Sequence, residues 1–175
     1  NREKIYIIGA GSNTLITDDT YDGIVVKLGK NFNRLSKLNS NIIISGAAVL
    51  DKKLAEYAAE NSLSGFEFLA CIPGTIGGGL KMNAGCFGAE IKDILVSIQA
   101  VDKKGNILTI PATKINFDYR NNDLSDELIF LSASFKGEEQ NTQKILEKMS
   151  KLKAEKDYNQ PTKIKTSGST FKNPI

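Results

Sequence analysis

Apolar residues in the first third of the chain come in short β-branched runs closed by Gly or Asn. Residues 5–8, 23–28 and 42–45 (Ile42-Ile43-Ile44-Ser45) form three such runs, which predict strands. The period then changes. Leu50, Leu54, Tyr57 and Ala58 recur at helical spacing with Ala and Glu between them, so an amphipathic helix is expected over residues 49–61, with one buried stripe laid on the preceding sheet. A glycine-dense passage follows from 65 to 88. Beyond it, residues 94–101 and 107–110 flank Lys103-Lys104-Gly105-Asn106 and predict a hairpin, residues 128–135 predict a further strand, and Ile145, Met149 and Leu152 mark a second helix over about 141–156. Strands, helix, strands, helix without regular βαβ alternation favour an α+β fold over a doubly wound parallel sheet.

Composition narrows the chemistry. The 175 residues are 41% hydrophobic and 25% charged, so one globular unit or two small subdomains can close a core without disulfides or a structural metal. Histidine is absent, which removes Ser-His-Asp and Cys-His catalysis, histidine zinc sites and histidine general bases. Cys71 and Cys86 lack metal-ligand spacing and are expected to be buried, reduced thiols. No apolar run approaches a membrane span and no signal peptide is seen, so the expected location is cytoplasmic, with no membrane partner. The net charge of +3 is uneven: residues from Lys144 onward carry +5 and the remainder −2. Aromatic residues are scarce in that basic stretch and no nucleic-acid motif accompanies it, so a solvated helix face is the expectation, without a nucleic-acid partner.

Two glycine segments carry candidate chemistry. Gly9-Ala10-Gly11-Ser12-Asn13-Thr14 follows a strand and begins like a dinucleotide fingerprint, but the third glycine of that pattern falls on Thr14 and no amphipathic helix follows, so the Rossmann form is not met. The second segment places six glycines between 74 and 88. Interspersed Ile76, Leu80, Met82 and Phe87 are too apolar for a flexible surface loop, and freed backbone N–H groups there can converge on phosphate oxygens, so a ligand-wrapping role is expected. Arg120, in Phe117-Asp118-Tyr119-Arg120, can pair with a carboxylate, and Ser169, just after Gly168, can donate a proton although no triad is available to it.

In this order the motifs closely resemble the UDP-N-acetylenolpyruvoylglucosamine reductase (UDP-N-acetylmuramate dehydrogenase, MurB) family over nearly the whole chain. The resemblance rests on Gly9 to Asn13, on Ser64-Gly65-Phe66-Glu67 through Pro73-Gly74-Thr75-Ile76-Gly77-Gly78, on Met82-Asn83-Ala84-Gly85, on Tyr119-Arg120, and on Gln160-Pro161 ahead of Gly168-Ser169 and Asn173-Pro174. Met-Asn-Ala-Gly and Gln-Pro resemble the family's shorter type. The resemblance implies a two-subdomain FAD-binding fold of the vanillyl-alcohol-oxidase/PCMH type, divided here into 1–48 and 49–160, with 161–175 starting a substrate-binding domain. It further implies FAD and NADPH as cofactors, a UDP-sugar substrate, a monomer, and conversion of UDP-N-acetylglucosamine enolpyruvate to UDP-N-acetylmuramate in peptidoglycan precursor synthesis. By the same carry-over Arg120 and Ser169 are catalytic. Gly9, Ala10, Gly11, Ser12, Asn13, Thr14, Pro73, Gly74, Thr75, Gly77, Gly78, Asn83 and Gly85 line FAD, and Tyr119 and Asn173 contact substrate. Position 122, usually Ser in the family, is Asn122 here. The family's catalytic glutamate falls in a segment this chain lacks, so the chain is expected to bind FAD as an inactive fragment. Another FAD-dependent oxidoreductase sharing the fold, or a non-catalytic nucleotide-binding module, remains the alternative.

Overall fold

The computed structural model describes residues 4–160. The β-branched runs pair as expected, but in two separate sheets. β1 (Ile5–Ile7) and β2 (Ile24–Val26) form a parallel two-stranded ribbon. β3 (Leu35–Lys37) and β4 (Ile42–Gly46) form one side of an antiparallel five-stranded sheet. A helix, α1 (Asp51–Glu60), and a short strand, β5 (Leu63–Ser64), come next. The passage after them holds a 3-10 turn (Glu67–Cys71), a six-residue helix α2 (Ile76–Lys81), the small hairpin β6 (Gly85–Cys86) and β7 (Ala89–Glu90), and one turn of helix α3 (Ile91–Ile94). The main sheet is completed by β8 (Leu95–Val101), β9 (Ile107–Pro111) and, after the β10 (Phe117–Asp118) and β11 (Asn121–Asn122) hairpin, β12 (Ile129–Lys136), in the order β3-β4-β12-β8-β9. β13 (Glu138–Glu139) pairs with β5, and α4 (Thr142–Asn159) closes the described chain.

The division expected at residue 48 does not follow this sheet. β4 pairs antiparallel with β12 from Ile42↔Lys136 to Gly46↔Ser132, so β3 and β4 share a sheet with β8, β9 and β12, while β1 and β2 pair separately. β12 is central because both its edges are paired. Its register to β8 shifts between Phe130 and Ser132; the shift changes the parity of the strand, so that Phe130 and then Ala133 and Phe135 all point into the core.

α1 packs Leu54, Ala55, Ala58 and Ala59 inward, mainly against the 3-10 turn Glu67–Cys71 and β5 rather than the preceding sheet; of the stripe its spacing predicts, Leu54 and Ala58 are buried, Tyr57 is half-buried and Leu50 is exposed. Among the described residues of α4 only Ile145 is fully buried, and most of its lysines face solvent as expected; Lys156 instead turns in to donate to the Cys71 carbonyl at 2.6 Å, and Lys148 pairs with the buried Glu67 at 3.5 Å. Asn141 caps that helix: its Oδ1 accepts from the N–H groups of Gln143 and Lys144 at 2.9 and 3.3 Å.

The helix α2 is a departure from expectation, because three of its six residues are glycines and glycine is a poor helix former by about 1 kcal/mol per residue. Packing decides here. Ile76 and Leu80, four apart, are fully buried, and a Cβ at Gly77 would sit 3.2 Å from the Ala47 methyl, while one at Gly79 would sit 2.6 Å from Ile91 Cδ1. The glycines let this helix lie flush against β4 and α3.

Candidate functional site

The two glycine segments, sixty residues apart in sequence, meet. Ser12 Oγ donates to the Pro73 carbonyl at 2.6 Å, and a side chain at Gly9 would strike Thr75 Oγ1. The first segment leaves β1 as an exposed loop in which Gly11 takes φ +79°, a backbone region that suits glycine. Among the described residues nothing accepts a hydrogen bond from the N–H groups of Gly9, Ala10, Gly11, Ser12 or Asn13. Five consecutive free donors suit phosphate oxygens.

The second segment differs from the anion nest its glycines led us to expect. The N–H groups of Ile76 and Gly77 donate to the carbonyls of Val49 and Ala47 at 2.9 and 2.8 Å, and that of Gly79 to Thr75 at 2.8 Å. Those donors are committed to holding α2 on β4. Pro73, Gly74 and Thr75 instead form the wall against which the first loop rests; Gly78 lies open beside Thr75.

Asn83 is fully buried with φ +40°, and its amide works within the protein. Nδ2 donates to Glu90 Oε2 at 3.0 Å and to the Asp118 carbonyl at 3.2 Å, while Oδ1 accepts the Lys92 N–H at 3.2 Å. Gly85 pairs with Glu90 across the β6–β7 hairpin, where a Cβ would fall 2.5 Å from the Ala89 carbonyl oxygen. Its own carbonyl accepts from Arg120 Nη2 at 2.7 Å. Arg120 occupies φ +56°, stacks its guanidinium 4.8 Å from the Tyr119 ring centre and lies 3.9 Å from Glu90 Oε1. Burial works against charge on Glu90, but hydrogen bonds from Lys92 and Asn83, with the charges of Lys92 and Arg120, outweigh it and hold the carboxyl below its usual range. The cation is therefore fixed beside the hairpin that ends the glycine passage. The passage from Pro73 to Gly85 thus connects the free-donor loop at one end to Arg120 at the other.

Ser169 and Asn173 lie outside the described residues. Asn122, at the position where the family usually has Ser, is buried and structural: its Nδ2 donates to the Leu80 and Lys81 carbonyls at 2.9 Å, and its Oδ1 accepts the Leu124 N–H, joining the end of α2 to the β10–β11 hairpin that presents Arg120. Sequence reasoning missed Asp51 and Glu90. Asp51 is the first residue of α1, fully buried, and neither carboxyl oxygen has a hydrogen-bond partner; burial raises its pKa to about 7. Its only signal in the sequence was an acidic residue at a helix start, where a solvent-facing side chain is the ordinary outcome. Both cysteines are free thiols; Cys71 is buried as expected, whereas Cys86, whose Sγ donates to the Phe68 carbonyl at 3.3 Å, is half-buried, and burial pushes Cys86 up to about 11 and is the chief cause that raises Cys71. No group of metal-ligating side chains is found among the described residues, and no described helix is long and apolar enough to cross a membrane.

The free-donor loop, the α+β frame and the glycines that bring two backbones together define a dinucleotide-binding protein, and the model of the FAD binding domain family matches residues 1–111. The chain belongs to that family. The residues present fit FAD: the N–H groups of 9–13 are free to donate to diphosphate oxygens, and the close approach at Gly9 and Gly74 leaves no room for side chains there. More particularly, it is 64% identical over 174 residues to UDP-N-acetylenolpyruvoylglucosamine reductase of Pelagibacter ubique (strain HTCC1062), an alignment covering 99% of this chain and 58% of that protein. It superposes on the crystal structure of UDP-N-acetylenolpyruvylglucosamine reductase (MurB) from Thermus caldophilus with a TM-score of 0.89 at 29% identity, covering 99% of this chain and 62% of that one. Carbon monoxide dehydrogenase from Hydrogenophaga pseudoflava shares the fold, with a TM-score of 0.58 at 11% identity over 77% of this chain and 52% of that one. The resemblance read from the motifs and the α+β FAD-binding fold are thereby borne out. The chain spans about 58% of the length of the Pelagibacter relative.

Proposed function

We propose that this chain is the FAD-binding portion of a flavin-dependent UDP-N-acetylmuramate dehydrogenase, acting in the cytoplasm on the enolpyruvyl ether of UDP-N-acetylglucosamine with NADPH as reductant. The observation that carries the reading is the junction of the two glycine segments, where the Ser12 to Pro73 hydrogen bond tethers an exposed loop with five unpaired N–H groups. Bound FAD supplies hydride transfer to the substrate's vinyl carbon.

The chain's own residues bind and polarise. The N–H groups of Gly9 to Asn13 bear on the cofactor's diphosphate, with Thr14 at the end of the loop and Pro73, Gly74, Thr75, Gly77 and Gly78 walling the crevice. Asn83 and Gly85 act one step back, by shaping the hairpin. Arg120, held by the Gly85 carbonyl, Glu90 and Tyr119, stabilises the enolate-like charge that develops on the substrate carboxylate. A fixed cation in a site from which water is excluded is worth roughly 10²–10³ in rate, and its orientation is set before substrate arrives. Ser169 then protonates the adjacent carbon, and Tyr119 and Asn173 contact substrate.

Two measurements test the reading. Titration of this chain with FAD should quench flavin fluorescence at a single site, and a chain that leaves the fluorescence unchanged removes the proposal. In the full-length protein, Arg120→Lys should slow oxidation of the reduced flavin by substrate far more than flavin reduction by NADPH; equal slowing of both halves refutes the role given to Arg120.

A further inference from the structure

Asp51 is the one side chain among the described residues whose buried polar atoms have no partner. Its setting is specific. The Asp51 N–H donates to the Gly74 carbonyl at 3.2 Å, which ties the start of α1 to the wall of the cofactor crevice. A Cβ placed on Gly74 would lie 2.7 Å from Asp51 Oδ2 and 3.6 Å from Ser12 Oγ; one placed on Gly79 would lie 3.3 Å from Asp51 Oδ1. The carboxyl group therefore fills a slot left by two missing side chains, and only a glycine separates it from the loop of free N–H donors.

No neighbouring charge compensates it. On its own helix Lys52 and Lys53 point to solvent and pair with Glu56 at 3.6 and 2.8 Å. Lys81, at the end of α2, pairs with Asp126 at 2.6 Å, and near α3 Glu90, Lys92 and Arg120 are engaged with one another. The loop 9–14 and residues 47–49 carry no ionisable side chain. Burial is accordingly the sole cause that raises the group to about 7, with only the dipole at the start of α1 to favour its charge.

We propose that Asp51 is the proton-linked member of the cofactor site: it carries a proton whenever a dinucleotide diphosphate lies on the Gly9 to Asn13 loop, so that cofactor binding above neutral pH takes up one proton. The proposal rests on the FAD reading of that loop. Two like charges across one glycine, in surroundings of low dielectric, disfavour each other, and by thermodynamic reciprocity an ionised Asp51 weakens diphosphate binding by the factor with which the diphosphate opposes its ionisation.

The test is FAD binding by this chain between pH 6 and 9, measured by fluorescence quenching, with calorimetry at pH 8 in buffers of differing ionisation enthalpy to count protons. The expected result is constant affinity below about pH 6.5, then weakening that steepens above pH 7 toward tenfold per pH unit, with close to one proton taken up at pH 8. Asp51→Asn, which keeps shape and removes the charge, should bind with a flat profile and match at pH 8.5 the affinity the parent shows at pH 6. A flat profile in the parent, zero protons at pH 8, or the same slope in the Asn variant overturns the proposal while leaving the FAD reading intact. Absence of FAD binding at pH 6 overturns both. Should Asp51→Asn fail to fold, the proton count in the parent still decides.

Discussion

Replacing Asn83 by Ala isolates how the hairpin beside Arg120 is held. The amide is fully buried and serves three partners: the Glu90 carboxylate, the Asp118 carbonyl and the Lys92 N–H. Truncation removes three part-buried hydrogen bonds, worth about 1 kcal/mol for each neutral partner and about 2 kcal/mol for the carboxylate, which keeps Lys92 at 2.7 Å. Alanine must also adopt φ +40°, where Asn is tolerated and Ala costs about 1 kcal/mol. The expected loss is therefore about 4–5 kcal/mol, read as a fall in the urea midpoint of roughly 2 M with unchanged slope. Asn83→Gly separates the two contributions: it loses the same hydrogen bonds but accepts the backbone conformation, so it should be about 1 kcal/mol more stable than Asn83→Ala despite its larger cavity. An Ala variant within 1 kcal/mol of the parent, or a Gly variant less stable than the Ala variant, refutes the account of this residue.

Three further outcomes are expected. Leu54→Ala, at a fully buried position on the inward face of α1, should cost about 2–5 kcal/mol in chemical denaturation, and a loss below 1 kcal/mol would mean that α1 is not packed as described. Ser12→Ala removes the tether to Pro73, one hydrogen bond of about 1 kcal/mol, and should weaken FAD binding roughly five-fold with the melting temperature almost unchanged; unaltered affinity in titration would detach the tether from the site. Asp51 makes stability of the FAD-free chain pH-dependent. Its folded pKa of about 7 lies above the unfolded 3.8, so the folded state holds the extra proton, and stability present below pH 3.8 is lost as pH rises toward 7, by about 4 kcal/mol for this group alone. Asp51→Asn should therefore gain stability relative to the parent as pH rises from 4 to 8 in denaturant titrations, and a constant difference across that range would contradict a buried neutral carboxyl.

The sequence by itself determined which segments are regular and which residue types are available for chemistry. The helix with Leu54 and Ala58 was legible from a period imposed by one buried face, and the β8–β9 hairpin and the strand around Phe130 to Phe135 from apolar runs bounded by turn residues. The absence of histidine removed whole mechanisms, and the ordered motifs carried the family resemblance that implied FAD. Tertiary structure alone decided partners. It put β3 and β4 in the same sheet as β12, because strand pairing is a long-range choice that a local pattern does not encode, and it made a helix of a glycine-rich segment, because close approach to Ala47 and Ile91 outweighs propensity. It turned the amides of Asn83 and Asn122 inward to shape the site, and it left the donors of residues 9–13 unpaired while those of Ile76 and Gly77 were taken up by Val49 and Ala47. Burial made Asp51 unusual: a carboxyl at a helix start is ordinary until the fold removes its water and sets Gly74 and Gly79 against it.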